Sequence, residues 1–167
     1  RHRRSEPDPF ELDDPQPERV MTATVPYLPL EVAQVVVDES NEGFWQACRE
    51  HSLTVQRCVD CGRFQHPPRP VCGACQSFDL EWAPVSGDGA VYSYTIVHHG
   101  LGALRDNVPF NIVVVELDES GTRFVSNLVD TPPTDVAIGE RVSVWWDDAS
   151  ADVSVPRFRR TTQARST

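Results

Sequence analysis

Lysine is absent: all 15 basic residues of this chain are arginine. A Schiff-base enzyme needs a side-chain amine as nucleophile, so that chemistry is excluded. Positive charge is scarce as well. Against 25 acidic residues the arginines leave a net charge of -10. Nucleic-acid binding depends on neutralising phosphates, and this balance counts against it. The basic residues gather at the ends (Arg1, Arg3, Arg4; Arg157, Arg159, Arg160, Arg165), where they read as solvated tails. No apolar run reaches the roughly 18 residues of a membrane-spanning helix, and nothing at the start reads as a secretory leader. The expectation is a soluble, cytoplasmic protein with no membrane partner. At 167 residues the chain has room for one ordinary domain and a small metal-held module, not two large cores.

What is present is a paired cysteine pattern. Cys58-Val59-Asp60-Cys61-Gly62 is answered ten residues later by Cys72-Gly73-Ala74-Cys75. Thiolates at this spacing wrap one edge of a tetrahedron, the geometry Zn2+ prefers. Gly62 suits the positive φ that such a turn often needs, and Gly73 is expected to play a comparable role in the second turn. Residues 63–70 are too rich in proline for a helix and read as a short strand and return. Disulfides or metal-free buried thiols are the competing readings. In a reducing compartment, paired Cys-x-x-Cys motifs favour metal. Four thiolates fill the coordination sphere, so the ion expected at Cys58, Cys61, Cys72 and Cys75 is structural rather than catalytic. His66 is then a surface residue.

The rest of the chain divides around this ribbon. Residues 1–37 read as a linker and extended arm. The first 19 are charged and punctuated by proline, as expected of a piece of a longer chain, with Met21 as an alternative start. In the arm, Tyr27 and Leu28 lie on a partner or on the domain's own surface. Residues 38–84 hold a helix over 41–51, capped by Asp38 or Ser40, and then the ribbon. Phe44 and Trp45 are neighbours and cannot face the same way, so one packs inward and the other is offered to a partner. Cys48, off the ribbon spacing, is a packing residue. Residues 85–159 read as strands over 90–97, 111–117, 122–129, 136–146 and 152–158, rich in β-branched and aromatic residues. The run at 111–117 is apolar enough to be buried on both sides. Five short strands without room for crossover helices predict a small closed barrel of OB-fold type. The fold class is therefore mainly β, with one N-terminal helix, a rubredoxin-like zinc ribbon and a five-stranded barrel. Residues 160–167 read as a disordered tail. The long connection at 98–110 offers Leu101, Leu104, Phe110 and Arg105 to an acyl thioester or an apolar partner. Its His98 and His99 point to opposite faces and make a poor metal pair.

The order of these parts resembles one family. The quoted pieces are the Phe44-Trp45 helix, Gln56-Arg57-Cys58-Val59-Asp60-Cys61-Gly62, Pro67-Pro68-Arg69-Pro70-Val71-Cys72, Trp82, Ser86-Gly87-Asp88-Gly89 and Ile138-Gly139. Over residues 38–159 they are similar to the rubredoxin-like zinc-ribbon plus OB-fold family, known as domain of unknown function thirty-five. The resemblance implies Zn2+ on the four cysteines and a partner from the thiolase superfamily acting on acyl-CoA, a thiolase or a thiolase-like aldolase. It also implies a possible hydratase domain upstream, as in steroid side-chain degradation, and two copies flanking a partner dimer as a heterotetramer. It implies no catalytic residue in this domain. Arg57, Arg63, Arg69 and Arg105 are the chemically suitable candidates for CoA phosphates. Tyr27, Leu28, Phe44, Trp45, Leu101, Leu104 and Phe110 are the candidate partner surface. A single-stranded nucleic-acid binder is the alternative that barrel and ribbon alone would allow.

Overall fold

A computed structural model describes residues 27–29, 31–32 and 35–161. Of the linker and arm expected over residues 1–37, residues 1–26, 30 and 33–34 lie outside the described residues, as do residues 162–167 of the tail expected over 160–167. One helix, α1 (Glu42–Arg49), precedes a three-stranded sheet of β1 (Thr54–Cys58), β2 (Phe64–Gln65) and β3 (Leu80–Pro84), in the order β2-β1-β3. A second sheet holds β4 (Asp88–Val97), β5 (Phe110–Leu117), β6 (Arg123–Ser126), β7 (Arg141–Ser150) and β8 (Val153–Arg160). Its order is β6-β5-β4-β7-β8, with every pairing antiparallel.

The second sheet curls until its outer strands meet. A parallel bridge joins Leu128 to Phe158. The Phe158 N–H donates to the Asn127 carbonyl at 3.0 Å, and the Val129 N–H donates to the Phe158 carbonyl at 2.8 Å. Pro156, two residues before Phe158, has no N–H to extend this ladder. The Ser126 hydroxyl instead donates to the Pro156 carbonyl at 2.7 Å. The result is a nearly closed five-stranded barrel.

Helix, ribbon and barrel share one core. Phe44 and Cys48 from α1, Leu53 just ahead of β1 and Val55 within it pack into the same cluster as Val91, Val113, Val115, Leu117, Phe124, Leu128, Val142 and Phe158. Along β5 the buried positions are Asn111, Val113, Val115 and Leu117, while Ile112, Val114 and Glu116 are only half covered. The strand therefore alternates instead of being buried on both sides, one face on the core and the other only half covered among the described residues. Phe110 opens β5 and is buried at 7 % exposure. It is a core residue, not part of an accessible loop surface.

Helix α1 starts and stops by means other than those expected. Asn41 occupies the N-cap without a side-chain cap bond. Asp38 forms a turn ahead of it, accepting the N–H of Ser40 at 2.8 Å and of Asn41 at 3.2 Å. At the other end His51 takes φ 55, its N–H donates to Cys48 O, and the Ser52 N–H donates to Ala47 O. This pair of bonds is the Schellman ending, with histidine where glycine is usual. His51 is held there by stacking on Trp146 at 5.3 Å and by a 2.7 Å contact from Nε2 to the Asp148 carboxylate. At the far end of β8, Arg160 still pairs with Val142, so the strand runs one residue into the expected tail.

Candidate metal centre and adjoining cleft

Strand β1 delivers Cys58 to the first knuckle, and the chain turns back on itself there. The Gly62 N–H donates to the Cys58 carbonyl at 2.8 Å, and the Cys58 N–H donates to the Arg63 carbonyl at 2.9 Å. The second knuckle repeats both bonds at the same offsets. Gln76 N–H reaches Cys72 O at 3.0 Å, and Cys72 N–H reaches Ser77 O at 2.8 Å. The left-handed residue falls at the same place in each, Gly62 with φ 72 and Gln76 with φ 63. Gly73 is not that residue. Its place in the knuckle corresponds to Val59, and the position after the second cysteine pays the strain with a glutamine.

The four sulfurs all lie within 4.8 Å of one another. Cys58 Sγ is 3.5 Å from Cys75 Sγ, and Cys61 Sγ is 3.6 Å from Cys72 Sγ. A tetrahedron of Zn–S bonds of about 2.3 Å has edges of roughly 3.8 Å, so the donor set fits that ion. No disulfide joins the sulfurs. The backbone N–H groups of Cys75 and Ala74 pull the Cys72 thiol down to about 6. Cys58 and Cys72 are buried, whereas Cys61 and Cys75 are exposed, so one edge of the tetrahedron faces solvent. Cys48 stands apart in the core, with burial pushing its thiol up to about 12. An inert packing role fits that environment.

The proline-rich return between the knuckles folds onto the barrel. His66 is consequently not a surface residue. Its ring stacks on Phe124 at 3.6 Å and 16° and lies 5.6 Å from Phe44. Burial lowers its pKa to about 4. Beside it runs a cleft of about 300 Å³, lined among others by Trp45, His66, Pro68, Phe124, Val125 and Arg157. Phe44 is buried and Trp45 half-buried against it in an edge-on pair at 5.0 Å. Phe44 is therefore the inward member of the pair, and both rings line the cleft.

The candidate arginines are divided between two places. Arg57, Arg63 and Arg69 are exposed on the ribbon, while Arg105 is exposed on the β4–β5 connection. Arg57 makes a 3.5 Å contact with Glu81 and lies over the Phe64 ring. On the β4–β5 connection Leu101 is 84 % exposed and Leu104 half-buried. The arm residues are engaged by the chain itself. The Tyr27 N–H donates to both oxygens of Asp147, at 3.2 and 3.3 Å, its ring lies 5.4 Å from the Arg157 guanidinium, and Leu28 is buried.

Two polar features have no counterpart in the expected site. One is the buried ion pair of Arg157 Nε and Asp147, 3.2 Å apart at 9 % and 2 % side-chain exposure, with Asn127 also bonded to Arg157. Arg157 reads from the sequence as one of the solvated tail arginines, so nothing local signals the pair, and its burial corrects that reading. The other is a pair of glutamines, Gln56 and Gln65, beneath the second knuckle. Their cross-strand register is the signal that would have found them.

A cysteine ribbon laid on a nearly closed five-stranded barrel defines a zinc-ribbon plus OB-fold protein. Residues 45–81 match the profile of the ChsH2 rubredoxin-like zinc ribbon domain, and residues 82–147 that of the ChsH2 C-terminal OB-fold domain. A chain of the solved Ltp2-ChsH2(DUF35) aldolase superposes with a TM-score of 0.70 at 35% identity, covering 76% of this chain and 98% of that one. The chain belongs to this ChsH2/DUF35 family. It is also 37% identical over 123 residues to a "Probable enoyl-CoA hydratase alpha subunit" of Thermomonospora curvata, covering 74% of this chain and 38% of that protein. The same identity over 105 residues links it to the 3-oxo-4,17-pregnadiene-20-carboxyl-CoA hydratase alpha subunit of Mycobacterium tuberculosis, covering 63% of this chain and 33% of that protein. The chain thus spans about a third of the length of these two relatives. No helix among the described residues is long and apolar enough to cross a membrane.

Proposed function

We propose that this chain is an accessory domain of an acyl-CoA aldolase, held together by Zn2+ on Cys58, Cys61, Cys72 and Cys75. The carbon–carbon cleavage belongs to a thiolase-superfamily partner. The observation that carries this reading is the likeness to a chain of the Ltp2-ChsH2(DUF35) aldolase over 98% of that chain's length. When bound, the ion cross-links the two knuckles, and four thiolates leave it no open position for substrate. The chain's own part is to present surface. Trp45 at the cleft and Leu101 and Leu104 on the β4–β5 connection are the apolar groups left for the partner. Phe110, Tyr27 and Leu28 serve this chain's own packing.

The finer reading is retro-aldol cleavage in steroid side-chain degradation. It is supported by the name of the Mycobacterium tuberculosis relative, a hydratase subunit acting on a pregnadiene carboxyl-CoA. The hydratase names of both longer relatives support a hydratase domain joined upstream. Two copies flanking a partner dimer would form a heterotetramer. Arg57, Arg63, Arg69 and Arg105 are the groups proposed for CoA phosphates, with this domain forming part of the CoA channel.

The test is co-expression with a thiolase-like aldolase encoded nearby, followed by size-exclusion chromatography, zinc quantification and an acyl-CoA cleavage assay. A stable complex with about one zinc per chain, active only when both proteins are present, is the expected result. A zinc-loaded chain that elutes alone and alters no activity overturns the partner reading while leaving the metal intact.

A further inference from the structure

The loop between the knuckles carries Pro67, Pro68 and Pro70, and so has no backbone N–H to join a ladder at three of the four positions 67–70. Side-chain amides fill that role. Gln56 and Gln65 face each other across β1 and β2, and Gln65 Nε2 donates to Gln56 Oε1 at 2.9 Å. The same Gln56 Oε1 accepts the Arg69 N–H at 2.8 Å, in the middle of the proline run. Gln65 Nε2 donates a second bond to the Val71 carbonyl at 3.3 Å. Gln65 Oε1 accepts the Gly73 N–H at 3.1 Å, one residue past Cys72. Both N–H donors of the Gln65 amide are thus committed and its oxygen accepts, which fixes which end points where. Gln56 is 6 % exposed, so water competes little for these bonds.

We propose that Gln56 and Gln65 are the positioning residues of the metal centre. They replace the backbone ladder that the prolines cannot form, and they hold Cys72 in register with Cys58 and Cys61. This goes beyond the assignment of the four ligands and rests on reading them as a Zn2+ site. Groups that orient a metal's ligands are typically worth about 10–100-fold in metal affinity. The same bonds tie the knuckle to residues 67–69, so the pair also sets the wall that Pro67 and Pro68 give the cleft.

The experiment uses the full chain and measures Zn2+ affinity by chelator competition. Co2+ substitution and amide exchange over residues 66–73 provide two further readouts. Gln65→Leu and Gln56→Leu are expected to weaken Zn2+ by about 10–100-fold and to speed exchange in that loop. Gln56→Glu keeps an acceptor for Arg69 and Gln65 and is expected to stay within about threefold of wild type. Gln65→Glu cannot donate to Val71 and is expected to fall with the leucine variants; it decides the matter should a leucine variant fail to fold. In the weakened variants the thiolate-to-Co2+ charge-transfer band is expected to shift, reporting altered geometry instead of a lost ligand. Unchanged affinity and exchange in Gln65→Leu and Gln65→Glu would overturn the proposal while leaving the zinc reading in place. A wild-type chain that takes up no Zn2+ overturns both.

Discussion

At the scale of single residues, His66 has the sharpest consequence. Protonating it in the folded chain places a cation against Phe124 and Phe44, whereas in the unfolded chain the ring meets water. Its folded pKa near 4 lies below the ordinary 6.5. The unfolded state therefore binds more protons between those values, and stability rises with pH through that window and levels off above it. The size of the shift corresponds to roughly 3 kcal/mol. Chemical denaturation between pH 5 and 7 should show this slope, and His66→Phe should flatten it. An equal slope in both proteins would place the titrating group elsewhere. The buried Asp147 works in the opposite electrical sense. Asp147→Ala leaves the Arg157 cation buried without its carboxylate, which costs about 3–5 kcal/mol. Asp147→Leu combined with Arg157→Met removes both charges and should lose clearly less. Comparing the two midpoints in urea separates a stranded charge from lost packing.

At the scale of elements, α1 meets β3 through the one glycine of its sequence. A Cβ at Gly43 would stand 2.2 Å from Nε1 of Trp82. Helix propensity alone favours alanine over glycine by about 1 kcal/mol, but the overlap forces the indole or the helix to move, at typically 1–3 kcal/mol. Gly43→Ala is therefore expected to lower the melting temperature, and an increase would show that the indole yields freely. The elements themselves were legible from the sequence for physical reasons. Runs of β-branched and aromatic residues wrote β4, β5 and β7, although the alternation of β5 did not show in its apolar run, and two Cys-x-x-Cys turns wrote the knuckles. What stayed hidden depends on contacts between distant parts. Phe110 reads as the end of an apolar loop until β5 is seen to begin with it. His66 reads as polar surface until the proline return is laid on Phe124. The left-handed position after Cys75 is occupied by Gln76, which no glycine marks. Asp147 acquires its meaning only when the Tyr27 N–H, 120 residues away in sequence, arrives at its carboxylate.

At the scale of the whole molecule, the shared core makes the metal centre and the cleft one mechanical unit. The ribbon contributes Leu53, Val55 and the His66 stack to packing that continues into the barrel. The barrel, however, has its own ladders from β4 to β8 and its own closure at Leu128 and Phe158. Removing the ion releases the two knuckles, which no disulfide joins, and with them the proline return that walls the cleft. Chelation is therefore expected to raise amide exchange across residues 54–84 while β4, β5 and β7 keep their protection. Binding of the proposed thiolase-like partner should fall in step with zinc occupancy and return when Zn2+ is restored, although the ion itself touches no partner. Exchange measured by mass spectrometry alongside partner capture tests both halves. Barrel strands that lose protection together with the ribbon would make the ion a support for the entire fold. Undiminished capture by the zinc-free chain would place the partner surface on the barrel alone, on the side of Leu101 and Leu104.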